Sequence, residues 1–508
     1  MQQAAPGTSA SEPSPPPVTP PVTPPATEPS ARPTGRRVLV NTGALTAASL
    51  WRILVSFVLQ LFIARSLGVE GLGHYTIAMA YLNVSQVLSE LGLPTLLVRD
   101  LAQHPGQRRA ALRTMVLLQL AAAFLTWGGL FALSWLPVYE PVTRYALWIV
   151  GASLPLFALS SVSQTLFQAG ERMELVMGVE VAINLLILGA SVAVLATGGG
   201  ELQLVSVVLF AQAVSAAICL LLLWRSKLLA SPQQPGAIAP AALLRKTVPF
   251  LGLSLSDVLM QRIDILLLSV VAGVSVTGIY GAAYNLARVM LKLVQSFWKA
   301  LYPTLSRLLQ QSPAHYRRLS DLSLRYGLVL VLPVVAAATA VAPELVHLIY
   351  GGKWDAAGPV FRWLVWTTPL YLIESYALTL LVIEHHPQFS LRLTLLHLGS
   401  VVLLLPPLTA AWGANGTAIA VLIAALVGTT AGLWVLRRKQ MPLEEIGWWA
   451  LAAATVIALV TGLYLPAPWL LRMAASLVAF AAVSWATGVL SPSDFTTLRA
   501  SLRSSRAG

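Results

Sequence analysis

The chain has one cysteine, Cys219, and only 10% of its 508 residues are charged. A lone thiol excludes an internal disulfide and a cysteine metal site. No G-x-x-x-x-G-K-[ST] pattern occurs, so nothing is present to cradle nucleotide phosphates, and ATP-driven pumping by this chain alone is not expected. Acidic residues are scarce as well, 20 against 33 lysines and arginines, for a formal charge of +13. The basic residues do not form one patch with interleaved aromatics, so nucleic acid is not an expected partner. The first 37 residues lack the basic start and apolar core of a signal peptide.

What is abundant is apolar: 56% of the residues are hydrophobic and the mean hydropathy is +0.73, values that fit a polytopic all-α membrane protein. Residues 1–37, with a Pro/Thr/Ser/Ala tract from Pro13 to Pro33, predict a disordered cytoplasmic tail. About fourteen runs of near-bilayer length follow, beginning at 38–64 and ending at 468–490. They divide into six spans over 38–225, a cytoplasmic linker over 226–247, six spans over 248–436, two more over 437–490, and a cytoplasmic tail over 491–508. Alternate connections carry most of the arginine and lysine, among them Arg108, Arg109 and Arg113, then Arg317 and Arg318, then Arg437, Arg438 and Lys439. That asymmetry predicts both termini in the cytoplasm. Pro94 and Pro249 are expected to cap span ends; Pro155, Pro333 and Pro369 are candidate bends.

One phrase occurs twice. Gly68-Val69-Glu70-Gly71-Leu72-Gly73-His74-Tyr75 and Gly273-Val274-Ser275-Val276-Thr277-Gly278-Ile279-Tyr280 both begin the pattern G-V-x-x-x-G-x-Y-x-x-A, with a spacing of 205 positions (273 minus 68). Each phrase reads as the outer turn of a helical hairpin, with Tyr75 and Tyr280 at interfacial depth. Six spans separate the copies, so the halves are expected to insert in the same direction, related by an axis along the membrane normal.

Five cations lie inside spans: Arg52, Arg262, Arg288, Lys292 and Lys299. Each costs roughly 2.5 to 3.5 kcal/mol at mid-bilayer on insertion scales, so each calls for a wet interior or a partner. Arg262 and Lys299, near span ends, could also snorkel. Asn285, Arg288, Lys292, Gln295 and Lys299 share one helix face, and Asp257, Gln261 and Asp264 share a face of the preceding span. Depth counting places Asp257 near Lys292 and Asp264 near Arg288, where ion pairs would leave positive charge in excess. The repeat sets Arg52 and Asp257 at equivalent positions. Glu90, Glu180 and Glu374 are further carboxylates within spans and each needs a partner or a protonation role.

Ala64-Arg65-Ser66-Leu67-Gly68-Val69-Glu70-Gly71-Leu72-Gly73-His74-Tyr75, with Glu90-Leu91-Gly92-Leu93-Pro94 after it, resembles the start of bacterial Wzx-type polysaccharide flippases of the multidrug/oligosaccharidyl-lipid/polysaccharide exporter superfamily. Looser matches are Leu301-Tyr302-Pro303-Thr304-Leu305-Ser306-Arg307 and Leu348-Ile349-Tyr350-Gly351-Gly352-Lys353-Trp354. The resemblance implies two pseudo-symmetric six-helix lobes around a central cavity, plus two C-terminal helices. It implies a cargo of undecaprenyl-diphosphate-linked oligosaccharide, moved across the cytoplasmic membrane by alternating access, with no cofactor and no enzymatic step.

Arg52, Arg288, Lys292 and Lys299 then become candidates for the diphosphate. Asp257, Asp264, Glu90, Glu180, Glu374 and Asn285 become polar cavity residues or candidates for proton or sodium coupling. Polysaccharide polymerase and glycosyltransferase machinery would be neighbours in such a system. Three alternatives remain at this stage. A lipid II flippase would also want a cationic cavity. A multidrug exporter would want an acidic one. A membrane glycosyltransferase or polymerase would need a large outer loop bearing carboxylates, and the outer connections here are short.

Overall fold

The computed structural model describes residues 35–104, 108–226, 239–443 and 446–489, with side chains for all of these except 35–56, 299 and 300. Among the described residues the regular structure is entirely helical: α1 (Gly35–Glu90), α2 (Leu93–Gln103), α3 (Arg108–Ser134), α4 (Pro141–Ala169), α5 (Met173–Ala196), α6 (Glu201–Arg225), α7 (Pro240–Val271), α8 (Gly273–Gln311), α9 (Pro313–Ala340), α10 (Ala342–Tyr350), α11 (Ala357–Leu364), α12 (Thr367–Ile383), α13 (Pro387–Arg438), α14 (Trp448–Tyr464) and α15 (Trp469–Ala486). Helices satisfy every backbone group within the segment, which is what long apolar runs require in lipid.

Two of these elements are each a pair of spans. α1 turns at Gly68 (φ 70°, ψ −163°) and α13 at Trp412 and Gly413. A turn of one or two residues joins what the sequence predicts as separate spans. Eight helical segments, counting α11 with α12, are long and apolar enough to cross a membrane by length and composition. Splitting α1 and α13, and adding the more polar α7 and α8 and the shorter α14, gives fourteen spans. They form two six-helix lobes, and α14 and α15 pack on each other and on α9. Arg472 fixes this attachment by donating to the Ala340 carbonyl (3.2 Å) and to Glu344.

The prolines behave differently from expectation. Pro249 lies inside α7 rather than at its end, and Pro155 and Pro333 lie inside unbroken helices. Neighbouring helices can compensate a missing hydrogen bond in such bundles. Pro94 does sit in the first turn of a helix, α2. That helix was not expected from apolar runs; it is short and buries Leu93, Leu97 and Leu101 on one side.

The repeated phrase does more than turn the chain. Gly68 and Gly273 both take positive φ, +70° and +74°, which a side chain would strain. Beyond the turns, the two copies pack against each other. A Cβ at Gly73 would overlap the Val274 carbonyl, and one at Gly278 would overlap the Val69 carbonyl. These two contacts map onto each other under the shift of 205 positions.

Ser275 Oγ donates to Glu70 Oε1 at 3.4 Å, and a Cβ on Gly281 would lie 3.0 Å from Thr76 Oγ1. Each of these contacts joins equivalent residues, so both lie on the pseudo-two-fold axis. Tyr75 and Tyr280 are 8% and 0% exposed. They belong to the core between the lobes and not to the lipid interface, because the phrase that carries them is the place where the lobes touch.

Two further contacts join the lobes near the turns. Arg65 Nε donates to the Ile349 carbonyl (2.9 Å) at the C-terminal end of α10, where a cation meets unpaired carbonyls. The hydroxyls of Tyr81 and Tyr139 lie 2.6 Å apart, and Tyr139 Oη lies 3.3 Å from Ser269 Oγ. At the opposite end of the bundle a Cβ on Gly92 would come within 2.5 Å of the Leu251 nitrogen, so α1 and α7 also meet there.

Gly278→Ala is expected to lower stability by about 1–3 kcal/mol through overpacking against backbone. Gly178→Ala, with nothing within 4 Å of its Cβ position, is expected to be neutral or slightly stabilising. Thermal unfolding of the purified protein in one detergent compares the two; equal melting temperatures would contradict the interlobe role of Gly278.

Candidate functional site

The polar faces of α7 and α8 meet in a cleft of about 540 Å³, its open mouth included, closed on the far side by α11, α12 and the second half of α13. Asp264, Arg288 and Lys292, three of the residues expected from the sequence, line it with Gln261, Tyr284 and Tyr371. All of these elements belong to the second lobe. The helical register explains the assembly: Gln261 and Asp264 lie three apart on α7, and Tyr284, Arg288 and Lys292 follow at intervals of four on α8.

The hydrogen bonds sort the charges. Asp264 is buried and both its oxygens are occupied: Tyr280 Oη donates to Oδ2 (2.6 Å) and the Ile265 amide to Oδ1 (2.8 Å). The expected ion pair between Asp264 and Arg288 is not made. Asp257 is exposed and Gln261 stands between it and Lys292. Gln261 Nε2 donates to Asp257 Oδ2 (3.3 Å), while Lys292 Nζ donates to Gln261 Oε1 (3.2 Å) and to Gln295 Oε1 (3.1 Å). The amide between them separates the two charges that depth counting had placed side by side.

Arg262 is 9% exposed, so it does not snorkel to the headgroups. It lies close enough to Arg288 for their charges to oppose, and close enough to Tyr75 of α1 to act on it electrostatically. Among the described residues neither Arg262 nor Arg288 forms a salt bridge. Positive charge is therefore concentrated around a cleft whose one buried carboxylate is already bonded to a tyrosine. An anion that accepts several hydrogen bonds is the ligand such a site suits.

The other expected residues are dispersed. Glu90, half-buried in the first lobe, accepts from Ser161 Oγ of α4 (2.8 Å). Glu180 is exposed on α5, its carbonyl accepting from Asn184. Asn285 is buried on α8. Glu374 is buried on α12 beside His397, one turn from Tyr371. Arg52 and Lys299 lie outside the residues whose side chains are described. Tyr284, Tyr371 and His397 did not stand out in the sequence. Tyr284 could have been found from the interval of four that links Tyr280, Tyr284 and Arg288, and His397 from being an ionisable residue in an otherwise apolar run.

Two helical lobes related by a repeat, with a polar cleft among membrane-length helices, define a multi-pass membrane protein. A family model described as "Polysaccharide biosynthesis protein" matches residues 62–359, and the chain belongs to that family. Solved structures agree on the fold. A lipid II flippase, MurJ, in an inward closed conformation is similar at TM-score 0.72 and 12% identity, over 87% of this chain and 98% of that one. An inward-facing multidrug resistance transporter of the MATE family in the MOP superfamily is similar at TM-score 0.61 and 14% identity, over 77% and 95%. A MOP superfamily transporter from Pyrococcus furiosus, whose binding pocket is described as having reverse polarity, is similar at TM-score 0.53 and 13% identity, over 78% and 95%. The sequence matches no curated protein. The chain is thus a member of the polysaccharide biosynthesis family with the fold of these flippases and transporters.

Tyr280→Phe removes the hydroxyl bonded to Asp264 and leaves a buried carboxylate oxygen without its donor. The expected cost is about 1–3 kcal/mol, with Asp264→Asn in the Tyr280→Phe background recovering part of it. Thermal unfolding of the parent and the two variants checks this; a Tyr280→Phe protein as stable as the parent would contradict the assignment.

Proposed function

We propose that the protein is a flippase for an oligosaccharide linked through diphosphate to a polyprenol such as undecaprenol, moved across the cytoplasmic membrane by alternating access of its two lobes. The observation that carries this reading is the positive charge at the cleft: Arg288 and Lys292 line it, Arg262 lies near enough to Arg288 for their charges to oppose, and its buried carboxylate, Asp264, is held by Tyr280. The description of the family and the fold shared with a lipid II flippase support a lipid-linked sugar cargo.

The chemistry follows from the side chains. Arg288 offers a planar fork of donors to phosphoryl oxygens, and Lys292 a point charge kept in place by two glutamine oxygens. Arg52 and Lys299 belong to the same proposal on the strength of the sequence, as do Asp257 and Asn285 as polar residues. The rings of Tyr284 and Tyr371 and the amides of Gln261 and Gln295 give apolar and polar surfaces for sugar. No bond in the cargo is made or broken, and no cofactor is needed. Basic-residue asymmetry places the Gly68 and Gly273 turns outside and both termini in the cytoplasm. Residues 38–225 and 248–436 are the two moving lobes, 226–247 the cytoplasmic link between them, and 437–490 the two accessory spans, with 1–37 and 491–508 as cytoplasmic tails. Polymerase and glycosyltransferase machinery would supply and consume the cargo on the two sides.

A lipid II flippase is the second reading, since that cargo also carries a diphosphate; the description of the family favours the polysaccharide branch. A cationic drug would meet like charge at Arg262, Arg288 and Lys292, which disfavours multidrug export.

Replacing Arg52, Arg288 and Lys292 singly by alanine is expected to slow flipping of a lipid-linked oligosaccharide in proteoliposomes by roughly tenfold or more, taking about 1.5–3 kcal/mol for each charged hydrogen bond. Membrane insertion is checked separately. Unchanged transport in all three variants would sink the proposal.

A further inference from the structure

The two ends of α13 meet in a basic and aromatic cluster. Because the helix turns back at Trp412 and Gly413, the residues that open its first half lie beside those that close its second. Phe389 marks the join. The Arg392 guanidinium lies 5.5 Å from the centre of its ring and Lys439 Nζ lies 5.0 Å from the same ring, so two cations far apart in sequence share one aromatic side chain. The His386 ring stands edge-on to it at 6.0 Å. One residue before Lys439, the Arg438 guanidinium lies 4.5 Å from the centre of the Trp434 ring. The rings position these charges by cation–π attraction without neutralising them.

The cations are otherwise free. Arg65, Arg108 and Arg325 are each tied to main-chain carbonyls, whereas Arg392, Arg438 and Lys439 are exposed and make no hydrogen bond or ion pair among the described residues. Glu384, the carboxylate at the α12–α13 turn, accepts instead from Tyr316 Oη of α9 (2.9 Å). With Arg437, the sequence from Pro387 to Glu445 holds four cations; its two carboxylates, Glu444 and Glu445, lie outside the described residues and leave the balance positive.

Next to the cluster, α13 is apolar and exposed. Leu395, Leu396 and Leu403 share a face with Arg392 in the first half, and Ile423, Leu426 and Trp434 share a face with Arg438 in the second. Each half has the length of one membrane span, so the cations at its end stand at the depth of the headgroups. An exposed apolar stripe that ends in free cations complements a molecule with acyl chains and an anionic head.

We propose that this cluster binds the headgroup of an anionic phospholipid, with Arg392 and Lys439 on its phosphate, Arg438 beside them and the acyl chains along α13. Arginine supplies a fork of donors to phosphate oxygens and lysine a point charge. Basic-residue asymmetry puts this end of the bundle in the inner leaflet. The second half of α13 also lines the cleft through Val421, so the lipid steadies one wall of that site. The ligand comes from the surrounding membrane, and the inference stands whatever cargo the cleft carries.

Native mass spectrometry of the full chain released from detergent micelles tests this, with phosphatidylglycerol or phosphatidylcholine of matched chains as the probe and no lipid-linked sugar added. The parent is expected to retain phosphatidylglycerol in preference to phosphatidylcholine. R392Q/R438Q/K439Q is expected to bind phosphatidylglycerol roughly tenfold more weakly. Two controls separate a site from general attraction. R109Q/R113Q/R172Q loses the same charge at exposed positions of the first lobe and is expected to bind as the parent does. F389L keeps every charge but loses the shared ring, and is expected to bind more weakly than the parent. Thermal unfolding in lipid-free detergent checks that each variant is folded; if the triple variant at α13 is not, R392Q and K439Q singly decide by the same criterion. A parent that binds both lipids equally, an α13 triple variant or F389L that binds like the parent, or an equal loss in both triple variants overturns the proposal.

Discussion

The architecture depends on one close approach of backbone to backbone. Gly73 receives the Val274 carbonyl and Gly278 receives the Val69 carbonyl, each where any side chain would collide. Without this reciprocal crossing the first hairpins of the two lobes could not come near enough for Ser275 to reach Glu70 or for Tyr75 and Tyr280 to be buried between them. In a bilayer, where lipid is as apolar as leucine, such small-residue packing is what brings helices together. The crossing also fixes the register of α8, and so decides which of its residues face α7.

That register sets up the electrostatics. α8 directs Tyr280 at Asp264 and then Tyr284, Arg288 and Lys292 along the cleft. Tyr280 occupies the carboxylate that would otherwise neutralise Arg288, and Gln261 separates Lys292 from Asp257. A tyrosine in place of an arginine at Asp264, and an amide between Lys292 and Asp257, keep these two carboxylates out of direct ion pairs with Arg288 and Lys292. Three cations gathered near one occupied carboxylate are costly in a membrane, a cost that the anion proposed for the cleft would offset.

Much of this was legible in the sequence, for identifiable reasons. The repeat showed because glycines at close crossings and at positive φ tolerate no substitution by side chains, so both copies keep the same pattern. Asp264, Arg288 and Lys292 stood out because charge is rare in apolar runs. The partners they choose were not legible: depth counting along antiparallel helices resolves a turn of helix but not which of Tyr280, Gln261 or Arg288 reaches a given carboxylate. Tyr75 and Tyr280 were placed at the interface because tyrosine favours it, whereas interlobe packing wins here. Pro249 was read as an end and lies mid-helix, since helical neighbours can offset a proline within a bundle. His397 was hidden by the hydrophobicity of the run around it, and its neighbours Glu374 and Gly428 are distant in sequence and adjacent in the fold.

The central claim is that the cleft between α7 and α8 holds the diphosphate of a lipid-linked sugar. A cryo-EM structure of the protein in nanodiscs with a polyprenyl-diphosphate oligosaccharide tests it most directly. The account predicts density for the two phosphates within hydrogen-bond distance of Arg288 and Lys292, with Arg262 nearby. Phosphate density elsewhere in the protein, with these side chains arranged as they are without cargo, would contradict it.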